Sequence, residues 1–417
     1  MGIRVFHVIT PVTRPVEVFL VLSSTQSPIK GLTIIVALVS MIGPFTVDTY
    51  LPSFPAIEAE FGISRAVLSQ SLAFYLAAFA LSTLFWGPLS DRLGRKRVII
   101  GTLFLYVIAS LGCALAEDYA SFLFFRLLQG VAAGGGLAAG RTMIRDVYNP
   151  EDAHKAMAQV MMMFALAPAI APVIGGWLDE WFGWRAVFYF LAVYSSLMML
   201  LVMLRIPETL AASLRQSFHP LYVTRVYART MTHRRFLSLI FIVAAGFGGM
   251  FLYIAGAPTV VFDFLQMDNH QFGWMFIPMV VGMIFGSWIS GRLAHSWPRE
   301  RTVKLALSLM ALGAVTNVAQ ATLLSPSVFF SIAPLVIYVC GIGMAMPVFT
   351  VLSLDCFPQN RGAASAMHGF VQMMGNALVA SVVVPLLAIL PSHLALGQLS
   401  LVLFALLLWW RLPPARN

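Results

Sequence analysis

The sequence predicts an all-α membrane protein: twelve transmembrane helices arranged as two pseudo-symmetric six-helix bundles. Three observations predict it. Of 417 residues, 59% are hydrophobic and only 10% are charged, where a soluble globular chain carries roughly 25% charge. Twelve separate apolar runs are each long enough to cross a hydrocarbon core of roughly 30 Å, which takes about 20 residues as helix. The basic residues then fall in alternate gaps between those runs, as the positive-inside rule requires.

Taken in order, the runs lie at 32–56, 67–89, 98–116, 120–141, 156–178 and 184–204, then at 237–260, 272–294, 303–324, 328–350, 363–390 and 395–412. They are too long for the roughly 10-residue alternating strands of a membrane barrel. With the N-terminus inside, the cytoplasmic gaps hold Arg92, Arg95, Lys96 and Arg97, then Arg141, Arg145 and Lys155, then the arginines of 205–236, and later Arg292, Arg299, Arg301, Lys304 and Arg361. The opposite gaps carry only Arg65 and Arg185 among acids such as Glu58, Glu60, Glu117, Asp118, Asp179, Glu180, Asp263 and Asp268. Both termini are therefore expected on the cytoplasmic side of a multi-pass membrane protein.

Segment 205–236 is the longest polar interval between runs and divides them six and six. The expected organisation is a cytoplasmic tail over 1–30, a bundle over 31–204, a cytoplasmic linker over 205–236, a bundle over 237–412 and a short cytoplasmic tail over 413–417. Ser90-Asp91-Arg92-Leu93 is echoed two hundred residues later by Ser290-Gly291-Arg292-Leu293 at the equivalent place in the other half, as internal duplication predicts. The apolar patch Val16–Leu22 has only a weak cleavage-site pattern after it and reads as part of the tail.

Composition also excludes function classes. The formal charge of +9 sits in inter-helix gaps rather than on a polar face, so nucleic acid is not an expected partner. Cys113, Cys340 and Cys356 have no metal-ligand spacing, so neither a zinc site nor a disulfide framework is expected. No Gly-rich phosphate loop of the GxxxxGK[ST] type is present, and no His/Asp/Glu or Ser/His cluster gathers at an interface. An enzyme, such as a lipid-modifying transferase, is the remote alternative.

A few residues break the apolar pattern, and these carry the chemistry. Asp48, in Phe45-Thr46-Val47-Asp48-Thr49-Tyr50-Leu51-Pro52, is the one carboxylate well inside a run. Away from water its ionised form is disfavoured, so a proton and a cationic ligand compete for it. Pro44 can open the helix beside it, although the acid could instead merely cap a broken helix. Arg126 begins Arg126-Leu127-Leu128-Gln129-Gly130, followed by Gly134, Gly135 and Gly136. A charge at that depth costs about 2.5–3.5 kcal/mol on insertion scales, so a partner or a watery cavity is expected unless it snorkels. Pro168, Pro172, Gly175 and Gly176 in the fifth run describe a kinked helix with a bare face. The loop Gly87-Pro88-Leu89-Ser90-Asp91-Arg92-Leu93-Gly94-Arg95-Lys96-Arg97 sets one acid among four cations at a tight turn.

That loop resembles the signature of the major facilitator superfamily, and the Arg126 and Pro168–Gly176 segments resemble that family's later motifs. Asp48-Thr49-Tyr50-Leu51-Pro52-Ser53-Phe54-Pro55 resembles the bicyclomycin/chloramphenicol-resistance branch of its twelve-span drug:proton antiporters. The form with Ala171 before Pro172 points to the same branch; the acid some relatives carry two turns before Asp48 is Ser40 here. The resemblance implies a proton-coupled exporter of drug-like molecules working by alternating access. It implies no cofactor beyond the proton gradient, a small-molecule drug or metabolite as substrate, and a monomer in the lipid bilayer of the bacterial inner membrane. It assigns proton coupling and substrate contact to Asp48 and Arg126, and a conformational latch to Gly87, Asp91, Arg92, Gly94 and Arg95. The alternative is a proton-coupled exporter of a native metabolite such as an amino acid derivative. Ser40, Tyr50, Gln70, Tyr75, Gln129, Tyr253, His368 and Gln372 are candidate cavity residues. These polar groups, with Asn317, Gln320 and Asn376, either face a cavity or join helices to one another.

Overall fold

In the computed structural model the described residues are 31–211, 213, 215, 227–294, 296–358 and 361–412; the expected tails at 1–30 and 413–417 lie outside them. Among these residues twelve helices are long and apolar enough to cross a bilayer. In the first half they are α1 (Leu32–Phe61), α2 (Arg65–Leu93), α3 (Arg95–Ala114), α4 (Tyr119–Val147), α5 (Pro150–Phe182) and α6 (Arg185–Arg205). The second half comprises α7 (Arg234–Ala255), α8 (Asn269–Leu293), α9 (Arg299–Leu323), α10 (Val328–Asp355), α11 (Arg361–Leu387) and α12 (Pro391–Trp410).

Local chemistry sets the boundaries. Ser64, Asp118 and Asn149 each accept a backbone N–H from the first turn that follows them, satisfying donors that a helix start leaves free. Gly94, at φ +102°, makes the turn between α2 and α3 that a side chain would strain. α1 is not one helix. It runs from Leu32 to Asp48, passes through a tight turn at Leu51–Ser53, and resumes over Phe54–Phe61. Pro52 and Pro55 have no N–H to return to the carbonyls of Asp48 and Leu51, so the ladder breaks there. The hydropathy reading stopped this span at residue 56 because Glu58 and Glu60 look like a loop. Both acids in fact ride on the resumed helix and neutralise Arg65 and Arg185, the two arginines that sit on the wrong side of the charge pattern.

Helix pairing gives the architecture. In the first half α4 packs on α1, α2 and α3, α1 also packs on α5 and α6, and α3 on α6; every one of these pairs recurs six helices later. The halves meet through α2 against α11 and α5 against α8, two contacts exchanged by the same pseudo-twofold. Small residues make the close approaches possible. A Cβ on Gly134 would strike Ser82 of α2, one on Gly135 would strike Thr102 of α3, and one on Gly136 would press on Val39 of α1. Large apolar side chains such as Phe124, Trp181, Leu204 and Phe329 point outward and are exposed, the surface a lipid solvent calls for.

One end of the molecule carries the basic loops and the other the acidic ones. All ion pairs between halves among the described residues lie at the acidic end. There Arg65 bridges Glu58 of its own half, at 2.8 Å, to Asp263 of the other, and His270 meets Glu180. Asn269 Nδ2 donates to Asp179 at 2.8 Å. At the basic end each described ion pair stays within one half, as in Arg95 with Asp91 and Asp146, and Arg299 with Asp355.

Candidate functional site

Arg126 is fully buried in the middle of the first half. Its Nη1 donates to Gln129 Oε1 at 2.9 Å, one turn along the same helix, and to the Thr46 carbonyl at 3.4 Å. Gln129 is held in turn by donating to Ser110 Oγ of α3 at 2.8 Å. The guanidinium lies over the rings of Tyr50 (4.3 Å), Tyr75 (4.9 Å) and Phe188 (5.9 Å). No carboxylate lies within ion-pair distance among the described residues, and Nε and Nη2 have no hydrogen-bond partner. Aromatic faces thus stand in for a counter-ion; each desolvated cation–π contact is worth about 2 kcal/mol. The arginine does not snorkel.

Asp48 ends the first segment of α1, buried at 3% exposure. No hydrogen bond or ion pair to its carboxyl exists among the described residues. It sits at a helix C-terminus, where backbone carbonyls already present partial negative charge. The surroundings are ordered by hydroxyls. Thr46 Oγ1 donates to the Ile42 carbonyl and shares a 2.5 Å hydrogen bond with Tyr106 of α3, while Tyr75 donates to the Gly43 carbonyl at 3.4 Å. Gly175 of α5 seats directly on the Thr49 backbone, and Gly176 on Asn269 across the halves. The bare face of α5 therefore contacts the Asp48 break and the closed acidic end at adjacent residues, although α5 runs through Pro168 and Pro172 as a single helix.

The other candidates divide by what they touch. Tyr50 is enclosed in the arginine's cage with its hydroxyl on Ser71 at 3.1 Å, and Gln129 is equally enclosed. Ser40 donates to the Val36 carbonyl of its own helix. Tyr253 accepts from Asn317, which also donates to Gln398, so these three join α7, α9 and α12. Gln70 reaches across the seam to the Ser381 carbonyl of α11 at 2.8 Å. His368 pairs with Ser353; Gln372 is buried with no hydrogen-bond partner among the described residues.

In the basic loop, Arg95 is the buried centre. It binds Asp91 at 2.5 Å, Asp146 at 3.1 Å and Ser90 at 2.7 Å, while its backbone N–H donates to Glu208. Arg92 is exposed, and Gly87 faces open space. Sequence reasoning passed over Tyr106, Ser110, Asp146 and Glu208. Tyr106 and Ser110 are four apart on one face of α3, a polar pair in an apolar run, and that spacing was the available signal.

A broken first helix with a lone buried acid, a caged arginine on the fourth, and two six-helix bundles related by a pseudo-twofold decide the comparison. Residues 36–380 match the family model described as Major Facilitator Superfamily. The chain belongs to that family. Within it, a bicyclomycin resistance protein homolog of Haemophilus influenzae is 27% identical over 83% of this chain and 87% of its own length. A chloramphenicol resistance protein of Pseudomonas aeruginosa is 26% identical over 86% of this chain and 85% of its own. The crystal structure of a D-xylose–proton symporter shares the family fold, with a TM-score of 0.70 at 17% identity, over 93% of this chain and 98% of that one. The chain is a family transporter, with twelve helices long and apolar enough to cross a membrane among the described residues.

Proposed function

We propose that this transporter exports drug-like small molecules from the cytoplasm of a bacterium in exchange for protons. The observation that carries the reading is Asp48: a buried acid at a helix break, without a hydrogen-bond or ion-pair partner among the described residues, in the same half as a caged, permanently charged arginine. By the charge pattern the basic end faces the cytoplasm, so the acidic end, closed by Arg65–Asp263, His270–Glu180 and Asn269–Asp179, faces outward. Ion pairs that join the halves at the outer end fit a cytoplasm-facing state.

In that state Asp48 holds a proton, because nothing beside it offsets a negative charge. A drug entering from the cytoplasm, bearing positive charge or donor groups, displaces the proton by supplying what the protein does not. Arg126 stays charged without consuming the acid, since ring faces rather than Asp48 satisfy it. Parting of the acidic end then exposes the cargo outside, where Asp48 is protonated again. The names of the two resistance-protein relatives support drug-like cargo. The Asp91–Arg95–Asp146 cluster is proposed as the switch that holds the basic loop within its own half while the cytoplasmic side is open.

The test is efflux from proteoliposomes under an imposed proton gradient, with antibiotics and amino acid derivatives offered in parallel. Wild type is expected to move the antibiotics and to stop when the gradient is collapsed; Asp48→Asn is expected to be inactive. Gradient-independent transport, or Asp48→Asn at the wild-type rate, refutes the reading.

A further inference from the structure

Polar side chains inside spans have two uses, joining helices or meeting cargo, and hydrogen bonding separates them. Asn317 Nδ2 donates to Tyr253 at 2.6 Å and to Gln398 at 2.8 Å, and Gln398 donates to the Gly249 carbonyl. That cluster is satisfied and joins helices. On α11 the situation is the reverse. His368, Gln372 and Asn376 recur every fourth residue, so they form one row along a single face. They are 7%, 8% and 1% exposed. Neither Gln372 nor Asn376 has a hydrogen-bond partner among the described residues, and Asn376 Oδ1 is buried with none.

His368 completes the row. Ser353 Oγ donates its one proton to the Thr350 carbonyl at 2.9 Å, so in the 3.0 Å contact with His368 Nδ1 the histidine is the donor. That leaves Nε2 as a bare acceptor. α11 packs against α7 and α10 of its own half and α2 of the other, and His368 meets Ser353 of α10. The row descends toward the basic end from the Gln70–Ser381 contact that ties α2 and α11 across the seam. Amides left without partners in a membrane interior are costly unless water or a ligand meets them.

We propose that His368, Gln372 and Asn376 form the second half's substrate-contact row, taking uncharged cargo groups that both donate and accept hydrogen bonds, such as amides and hydroxyls. The row offers amide N–H donors, amide oxygens and an imidazole acceptor but no fixed charge, so it complements Asp48 rather than duplicating it. Its three positions span about 12 Å along the helix, the length of an extended small molecule. This assignment rests on the drug-export reading and names the cargo chemistry it requires.

Two probes separate the row from the rest of the site. Chloramphenicol is uncharged and carries an amide and hydroxyls; tetraphenylphosphonium is a cation with no hydrogen-bonding group. Equilibrium binding of each to the purified full-length protein is measured for wild type, Gln372→Met and Asn376→Leu, which keep side-chain volume and remove the polar ends. Each variant is expected to weaken chloramphenicol by about three- to tenfold while tetraphenylphosphonium stays within about twofold. His368→Gln, which retains a hydrogen-bonding end, is expected to bind chloramphenicol better than His368→Leu. Unchanged chloramphenicol affinity in both row variants overturns the proposal alone, with the export reading intact. Equal weakening of both probes marks a packing role and also overturns it. A wild type that binds neither probe overturns the row together with the export reading beneath it.

Discussion

Replacing Gly176 by alanine puts a methyl group at a place where α5 meets the backbone of the other half. An added Cβ falls 2.5 Å from the Asn269 carbonyl oxygen and 3.1 Å from its carbon. Ordinary contact begins near 3.4 Å, so the halves must part by about 0.9 Å at this point. Backbone cannot rotate aside as a side chain can, and overpacking of this kind costs about 1–3 kcal/mol. The contact bridges the halves at the closed acidic end, so the cost falls on the state in which that end is closed. The equilibrium should shift by about 5- to 150-fold toward the state with that end open. Spin labels at Phe182 and Leu324, both exposed at the acidic end of opposite halves, report the separation in a background without the three native cysteines. A longer distance population is expected in Gly176→Ala. A distribution identical to that of the parent would refute the inference that this glycine sets the closure.

Further outcomes follow from the same geometry. Arg126→Lys replaces a planar group that covers Tyr50 and reaches Gln129 with a compact ammonium that does neither; transport is expected to fall at least about tenfold, with a lower melting temperature, and wild-type transport would contradict the cage. Gly94→Ala should destabilise by at least about 1 kcal/mol, because φ is +102° and the new methyl meets the Glu208 carboxylate; thermal melting checks it. Tyr106→Phe removes the hydroxyl paired with Thr46 and should cost about 1 kcal/mol, read by the same melts, with a larger loss in transport than in stability if that hydroxyl orders the Asp48 turn.

The spans were legible because bilayer thickness dictates length and apolarity, and composition records both. α6 was expected at 184–204 and lies at Arg185–Arg205. Asp48 stood out for the same reason, as a lone carboxylate in an apolar run, but the helix runs unbroken through Pro44 and the break comes after Asp48, at Pro52 and Pro55. What composition does not record is which polar groups find each other. Arg126 is covered by Tyr50, Tyr75 and Phe188, supplied by three other helices, and only packing brings those rings together. The same holds for the fork between joining and cargo-facing residues: Asn317 and Gln372 look alike in a sequence, and differ in whether a neighbour's donor or acceptor is within reach. Arg65 likewise read as a stray outer charge; its pairing with Asp263, across the two halves, follows from closure and not from either local segment.

The proton itself is the most direct witness. Purified transporter in weakly buffered detergent solution is titrated with tetraphenylphosphonium while pH is recorded. Wild type is expected to release about one proton per bound cation and Asp48→Asn none. Release from Asp48→Asn equal to that of wild type would place the exchangeable proton elsewhere and remove the basis for the exchange mechanism.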